Sequence, residues 1–285
     1  RSFVISGGGS VPLTPLYQIL SEAGAHVESF QIKGEPDLST IQAGMEMART
    51  AGCDFVVGFG GGSVIDSAKA IAALLTNPGD LMDYLEVIGR GQKIKNEPLP
   101  MIAIPTTAGT GSEVTRNAVI ASQEHHVKVS TRSPMMIPKV AVVDPELTLT
   151  MPPEVTASTG MDALTQNIEA YVSSRANPMT DVISREGIRR GATSLHRAYQ
   201  NGRDLDARGD MALCSLFGGL ALANGGLGAV HGFAGPIGGM FQASHGAICA
   251  SLLPYVVKHN VEALAGQDEG DEIRLRYLEI ARMLT

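Results

Sequence analysis

The stretch Asp54–Ala72, DFVVGFGGGSVIDSAKAIA, decides the fold. Phe55-Val56-Val57 is a short apolar run that reads as a buried strand. Gly58-Phe59-Gly60-Gly61-Gly62-Ser63 reads as a turn, after which Val64, Ile65, Ala68, Ile71 and Ala72 recur at helical spacing. Strand, glycine turn and helix in that order leave backbone N–H groups free at a helix start, beside the positive end of the helix dipole. Such a start binds anions, most often a phosphate. Glycine there lets backbone approach a pyrophosphate where any Cβ would stand in the way. The stretch is not a P-loop, because no Gly-Lys-Ser/Thr follows. It also departs from G-x-G-x-x-G, since Ser63 takes the place of the third glycine after Gly58 and Gly60. A tight turn at positive φ is the alternative, although three consecutive glycines exceed what a turn needs.

Working outward, the flanking segments repeat the alternation. Arg1–Gly9 reads as strand then turn, Leu13–Ala23 as a helix closed by Gly24, and His26–Phe30 as a strand. Asp37 or Ser39 caps a helix over Thr40–Ala51 that Gly52 ends. Leu81–Val87 reads as a short helix and Gly89–Asn96 as a polar loop. Leu99–Ile104 is a buried strand stopped by Pro105, ahead of a second glycine- and hydroxyl-rich loop, Thr106–Glu113. Asn117–Ser122 and His126–Thr131 form a hairpin-like insertion, and Lys139–Val143 is a last strand. Strands alternating with helices imply a parallel sheet wrapped by helices, with ligands at the carboxyl ends of the strands. From Thr150 the texture changes to helix patterns rich in Ala, Leu and Met, so a domain boundary falls near Leu149. Pro152-Pro153-Glu154 opens the first of these helices. Pro178–Tyr199, Leu205–Asn224, a glycine-broken stretch around Gly225–Gly239, and Ala247–Val261 follow.

Composition sets outer bounds. The 285 residues suffice for two domains or one large one, and 44% apolar content suits a globular core. A net charge of −7 without a long basic run argues against a nucleic-acid partner. No apolar run reaches membrane-spanning length and no signal-peptide pattern stands at the start, which points to no membrane and a cytoplasmic location. Cys53, Cys214 and Cys249 are isolated and read as buried thiols in a reducing compartment, not as a disulfide frame or Cys-rich metal site. Phe3-Val4-Ile5 is core-type strand two residues in, and the amphipathic Ile273–Leu284 stops without a cap signal, so both ends are expected to continue.

In the helical half, Asp162 and Gln166 lie one helical turn apart on one face. His231 and His245 each sit among small and apolar residues. A carboxylate with two imidazoles is a common divalent-metal set, although a lone buried His is more often a hydrogen-bonded core residue. In the other half, Asp66 either touches a ribose or nicotinamide or favours the helix start, and Lys128 either reaches a ribose or solvates a strand face.

These residues together resemble the iron-containing (group III) alcohol dehydrogenase family. The markers are Gly60–Lys69 (GGGSVIDSAK), Pro105–Thr115 (PTTAGTGSEVT), Val143–Leu147 (VDPEL), Gly160–Leu164 (GMDAL), and the two segments centred on His231 and His245. The resemblance implies a dehydroquinate synthase-like fold, with an N-terminal α/β Rossmann-like dinucleotide domain over 1–148 and an all-α C-terminal metal and substrate domain over 149–285. It implies that Gly60, Gly61, Gly62 and Ser63 hold the pyrophosphate of NAD or NADP. Asp66, Thr106, Thr107, Ser112 and Lys128 would line the nucleotide. Asp162, His231 and His245, with Gln166 in a fourth ligand position, would hold Fe²⁺ or Zn²⁺. The activity implied is metal-assisted hydride transfer between a small alcohol and its aldehyde or ketone, in a homo-oligomer such as a dimer. A metal-independent carbonyl reductase of the maleylacetate reductase kind, or a nucleotide-binding protein without turnover, are the rival readings. Gln166 and Gly235 stand where the family usually has His, and Gly7-Gly8-Gly9 replaces an acid that favours NAD.

Overall fold

The structure, a computed structural model, describes residues 1–241, 243–265 and 270–285. The chain divides into two compact units: Arg1–Thr106 with Ser112–Leu147, and Thr107–Gly111 with Thr148–Thr285.

The first unit is built on a five-stranded parallel sheet. In chain order its strands are β1 (Ser2–Ser6), β2 (Val27–Gln31), β3 (Phe55–Gly60), β4 (Met101–Pro105) and the strand Val140–Ala141, and in space the order is β2-β1-β3-β4 with Val140–Ala141 at the edge. All five residues of β1 are buried, as a parallel strand covered on both faces requires. Helix α1 (Thr14–Glu22) joins β1 to β2, and α2 (Leu38–Ala51) joins β2 to β3. Asp37 caps α2 by accepting from Thr40 N at 2.8 Å, and Gly52 at φ 63° ends it.

Helix α3 (Gly62–Thr76) is the centre of this unit. Residues Val64–Leu74 are all buried, so the helix is covered on every side. It packs on the sheet and on an antiparallel hairpin of two further strands, Asn117–Ser122 paired with Val127–Arg132. The glycine run resolves differently from the sequence reading. Gly58 and Gly60 are strand residues, not turn, and their missing side chains make room for α3. A Cβ at Gly58 would fall 3.1 Å from Ala68 Cβ, and one at Gly60 would fall 2.6 Å from Val64 Cγ2.

Two other segments are shorter than their sequence patterns. The helix after α3, α4, covers only Leu81–Tyr84, because Leu85 is already extended and Val87 has φ 67°. The edge strand covers two residues, with Val140 and Val142 exposed, because it has a partner on one side alone.

The second unit is helical. Helices α5 (Pro153–Tyr171), α6 (Pro178–Gln200) and α7 (Leu205–Gly225) pack on one another, and α8 (Ala229–Met240), α9 (His245–Ala263) and α10 (Gly270–Leu284) complete it. Small residues set the close approaches. A Cβ at Gly160 would lie 2.2 Å from Leu195 Cδ1, and one at Gly191 would lie 3.0 Å from Cys214 Sγ. Thr107–Gly111 packs with these helices. Ala108 joins the core of Ala163, Met211 and Cys214, and Gly111 at φ 61° has the α7 backbone at Gly219 where a side chain would go. The stretch Gly225–Gly239, read from sequence as glycine-broken, is helical from Ala229 onward and contains Pro236. Its first turn is held by a group from another helix, which offsets its poor local propensity.

Candidate metal centre

Helix α5 supplies the acidic face. Asp162, Gln166 and Glu169 are spaced four and three residues apart, which puts all three on one side. Glu169 is 4% exposed and was not singled out in the sequence reading, although the seven-residue interval from Asp162 is the signal that marks it. Its two oxygens do two jobs. Oε1 accepts from Val230 N at 2.7 Å, and Oε2 accepts from His231 N at 3.3 Å, so the carboxylate caps α8, which has glycine at its own N-cap. Oε2 also accepts from His231 Nδ1 at 2.6 Å. A carboxylate on Nδ1 fixes the ring orientation and turns Nε2 the other way.

Nε2 of His231 comes within 3.2 Å of Asp162 Oδ1, and Nε2 of His245 within 3.6 Å of the same oxygen. The imidazole rings are 5.4 Å apart. His245 is placed by the residue after it. A Cβ at Gly246 would sit 1.9 Å from Ser158 O, so only glycine lets the start of α9 cross α5 closely enough to bring His245 beside Asp162. Cys249 lies one turn further along α9, its Sγ 3.7 Å from His245 Nε2 and 3.9 Å from His231 Nε2. One ligand atom from each of Asp162, His231, His245 and Cys249 lies within 4.8 Å of the others.

The charges respond to this crowding. Burial lowers the His231 pKa, but hydrogen bonds with Asp162, Cys249 and Glu169 outweigh it and raise the value well above 6.5. The same contest, with Cys249 and Asp162 as the winning partners, raises His245. Burial pushes the Cys249 thiol up, and the two imidazoles more than offset that and lower it. The His245 side chain keeps 34% of its surface exposed against 4% for Asp162, so the cluster is reachable from the His245 side.

The donor set fits a divalent ion. A tetrahedral site with N and O ligands at about 2.0–2.2 Å and S at about 2.3 Å has edges of about 3.3–3.6 Å. The four separations in the cluster, 3.2, 3.6, 3.7 and 3.9 Å, fall around that range.

The other expected ligands and contacts fall out unevenly. Gln166 is buried, its Nε2 donates to Thr110 O at 3.4 Å, and its Oε1 has no hydrogen-bond partner. A Cβ at Gly235, one turn beyond His231, would meet nothing within 4 Å. In the α/β unit, Gly61 is the N-cap of α3 and offers no side-chain cap, while Val64 N and Ile65 N both reach back to Gly61 O. The amides of Gly62 and Ser63 stand ahead of those bonds, the geometry of a phosphate-binding helix start. Gly60, expected beside the pyrophosphate, also packs β3 on α3, where a Cβ would meet Val64.

Asp66 and Ser112, expected to line the nucleotide, hydrogen-bond within the α/β unit. Ser112 Oγ donates to Asp66 Oδ1 at 2.5 Å, and Val119 N donates to Asp66 Oδ2 at 3.0 Å. Lys69, 1% exposed, donates to Ser112 Oγ, Thr115 Oγ1 and the Asn117 carbonyl at 2.8–2.9 Å and lies 3.4 Å from Asp66. Burial lowers its pKa against the pull of Asp66. Lys128 is ion-paired with Glu35 at 2.5 Å. Thr106 N donates to Gly60 O, and Thr107 begins the segment that packs with the helical unit.

With this geometry in view, two family profiles match. "Iron-containing alcohol dehydrogenase" matches residues 1–145, and "Fe-containing alcohol dehydrogenase family, C-terminal" matches residues 156–285. Alcohol dehydrogenase 4 of Saccharomyces cerevisiae is 39% identical over 261 residues, which is 91% of this chain and 67% of that protein. Long-chain-alcohol dehydrogenase 1 of Geobacillus thermodenitrificans is 46% identical over 223 residues, 78% of this chain and 56% of that protein. The chain thus spans between about half and two thirds of the length of such curated relatives. The iron-containing alcohol dehydrogenase from Thermococcus thioreducens superposes with a TM-score of 0.89 at 31% identity, covering 100% of this chain and 74% of that one. A parallel α/β unit, a helical unit carrying an Asp-His-His cluster, and profile matches to both parts place the chain in the iron-containing alcohol dehydrogenase family.

Proposed function

We propose that this chain carries out NAD(P)-dependent, metal-assisted hydride transfer between a small alcohol and its aldehyde or ketone. The observation that carries the reading is the convergence of Asp162, His231 and His245. It favours a metal-assisted reaction over the metal-independent reductase of the same fold. The names of the relatives, alcohol and long-chain-alcohol dehydrogenases, agree with it. A divalent ion held there would supply Lewis acidity to a carbonyl or alkoxide oxygen, and the nicotinamide would supply or take up hydride.

The chain's own residues do the rest. Asp162 sets a fixed negative charge against the ion. Glu169 keeps the proton of His231 on Nδ1, so that Nε2 presents its lone pair. His245 stands at the exposed edge, where a substrate oxygen arrives. In the α/β unit, the amides of Gly62 and Ser63 take the cofactor's diphosphate, and the neighbouring Gly61 keeps that approach free of side chains. Either NAD or NADP suits this reading, since Gly7-Gly8-Gly9 after β1 carries no acid to repel a 2′-phosphate. The three free thiols are in keeping with a cytoplasmic protein, and a homo-oligomer completes the proposal. Among the described residues no single helix is long and apolar enough to cross a membrane.

The test is turnover of a panel of primary alcohols with NAD⁺ and with NADP⁺, before chelation, after it, and after adding back Fe²⁺ or Zn²⁺. Activity that survives complete chelation, or a His245→Ala variant with unchanged turnover, would reject the metal's role.

A further inference from the structure

We propose that the Cys249 thiolate is the fourth protein ligand of this metal, and that it turns the site's preference from iron towards zinc. The inference rests on the metal-assisted reading above. Cys249 is buried, and its Sγ lies within 4 Å of both histidine Nε2 atoms. Those two separations are edges of the same tetrahedron that Asp162 Oδ1 closes with the imidazoles. The position is fixed by the helix: His245 and Cys249 are four residues apart on α9, so both side chains lie along one face and close the same flank of the site.

The alternative fourth ligand is Gln166, and its amide is poorly suited. Its nitrogen is bonded to Thr110 O, and its unpartnered Oε1 lies against Gly218 of α7. A neutral amide adds no charge, whereas a thiolate with the Asp162 carboxylate balances a divalent cation within a buried site. Thiolate is a soft ligand. Where oxygen and imidazole donors alone bind both ions, adding sulfur favours zinc, which also stands above Fe²⁺ in the general order of affinities.

The experiment loads the metal-depleted protein with Co²⁺ and records its absorption. It then measures competition between Zn²⁺ and Fe²⁺ under anaerobic conditions by elemental analysis. The expected result is a thiolate-to-cobalt charge-transfer band in the wild type. The band should persist in Gln166→Ala and Cys214→Ser and vanish in Cys249→Ser. Zinc affinity should fall at least about 100-fold in Cys249→Ser, the upper end of what changes around a ligand cost, and its preference over iron should narrow. The wild-type spectrum can overturn the assignment by itself, whether or not a variant folds. Stoichiometric cobalt without the band overturns the Cys249 assignment and leaves the dehydrogenase reading standing. A wild type that binds neither cobalt, zinc nor iron overturns both.

Discussion

The first turns of α3 and the cluster around Asp162 both bury an acid beside a basic group, and they do opposite things with it. At α3, Asp66 and Lys69 are enclosed by Ser112, Thr115, Asn117 and the Val119 amide, and both carboxylate oxygens and the ammonium have protein partners. Around Asp162, the outward side of the His231 ring is anchored by Glu169, and the donor atoms of Asp162, His231, His245 and Cys249 face one another. A buried charge whose partners all point away from any common centre is architecture. Donor atoms gathered around one centre, with a ligand ring braced from behind, make a binding site.

That contrast can be broken in several ways. The largest effect is expected from Asp162→Ala, which should reduce bound zinc or iron to background in elemental analysis while far-UV circular dichroism stays unchanged. Loss of the fold in that variant would make Asp162 architecture after all. Lys69→Ala should do the reverse. Removing one partner of a buried ion pair costs about 3–5 kcal/mol, which urea unfolding would read, with metal content intact. A cost below about 1 kcal/mol would show that the network is dispensable.

Glu169→Gln tests the bracing itself. It should weaken metal binding by roughly 10–100-fold and loosen the start of α8, visible as faster amide exchange at Val230 and His231. Gly60→Ala should cost about 1–3 kcal/mol through overpacking against Val64, and Val64→Ala should restore most of it. If the double variant is stable yet fails to bind NADH, Gly60 serves the diphosphate and not the packing.

The smallest expected effect concerns pH. The folded-state pKa of His231 is raised above its ordinary 6.5, so its contribution to the stability of the metal-free protein is complete below pH 6.5. That contribution is lost as pH rises through the raised value. The gap in urea midpoint between the wild type and His231→Gln should therefore shrink with rising pH, and a gap that widened would reverse the assignment.

Much of this was legible in the residues. Alternating apolar runs and capped helices marked the parallel α/β unit, because burial on both faces of a strand demands continuous apolar sequence. Asp162, His231 and His245 stood out as polar groups in apolar or glycine-rich surroundings. Glu169 and Cys249 did not, since a lone acid on a mixed helix and a lone thiol among alanines look like many unremarked residues. Each gains its meaning from a partner 62 or 18 positions away in the chain. The glycine run has a second role that its sequence does not show. Glycine serves both backbone approach to a ligand and backbone approach to a helix, and at Gly58 and Gly60 the helix is what comes close.

The sequence by itself determined the class of fold, the family, and the residue types able to hold a metal, because period, punctuation and motif are local properties of a chain. Tertiary structure alone decided which charges close on themselves and which converge. It turned Asp66 and Ser112 inward, set Glu169 behind His231, and brought Cys249 up to the two imidazoles. Hydrogen bonds and coordination edges act only over a few ångströms, and which groups come that close is settled by how the helices cross.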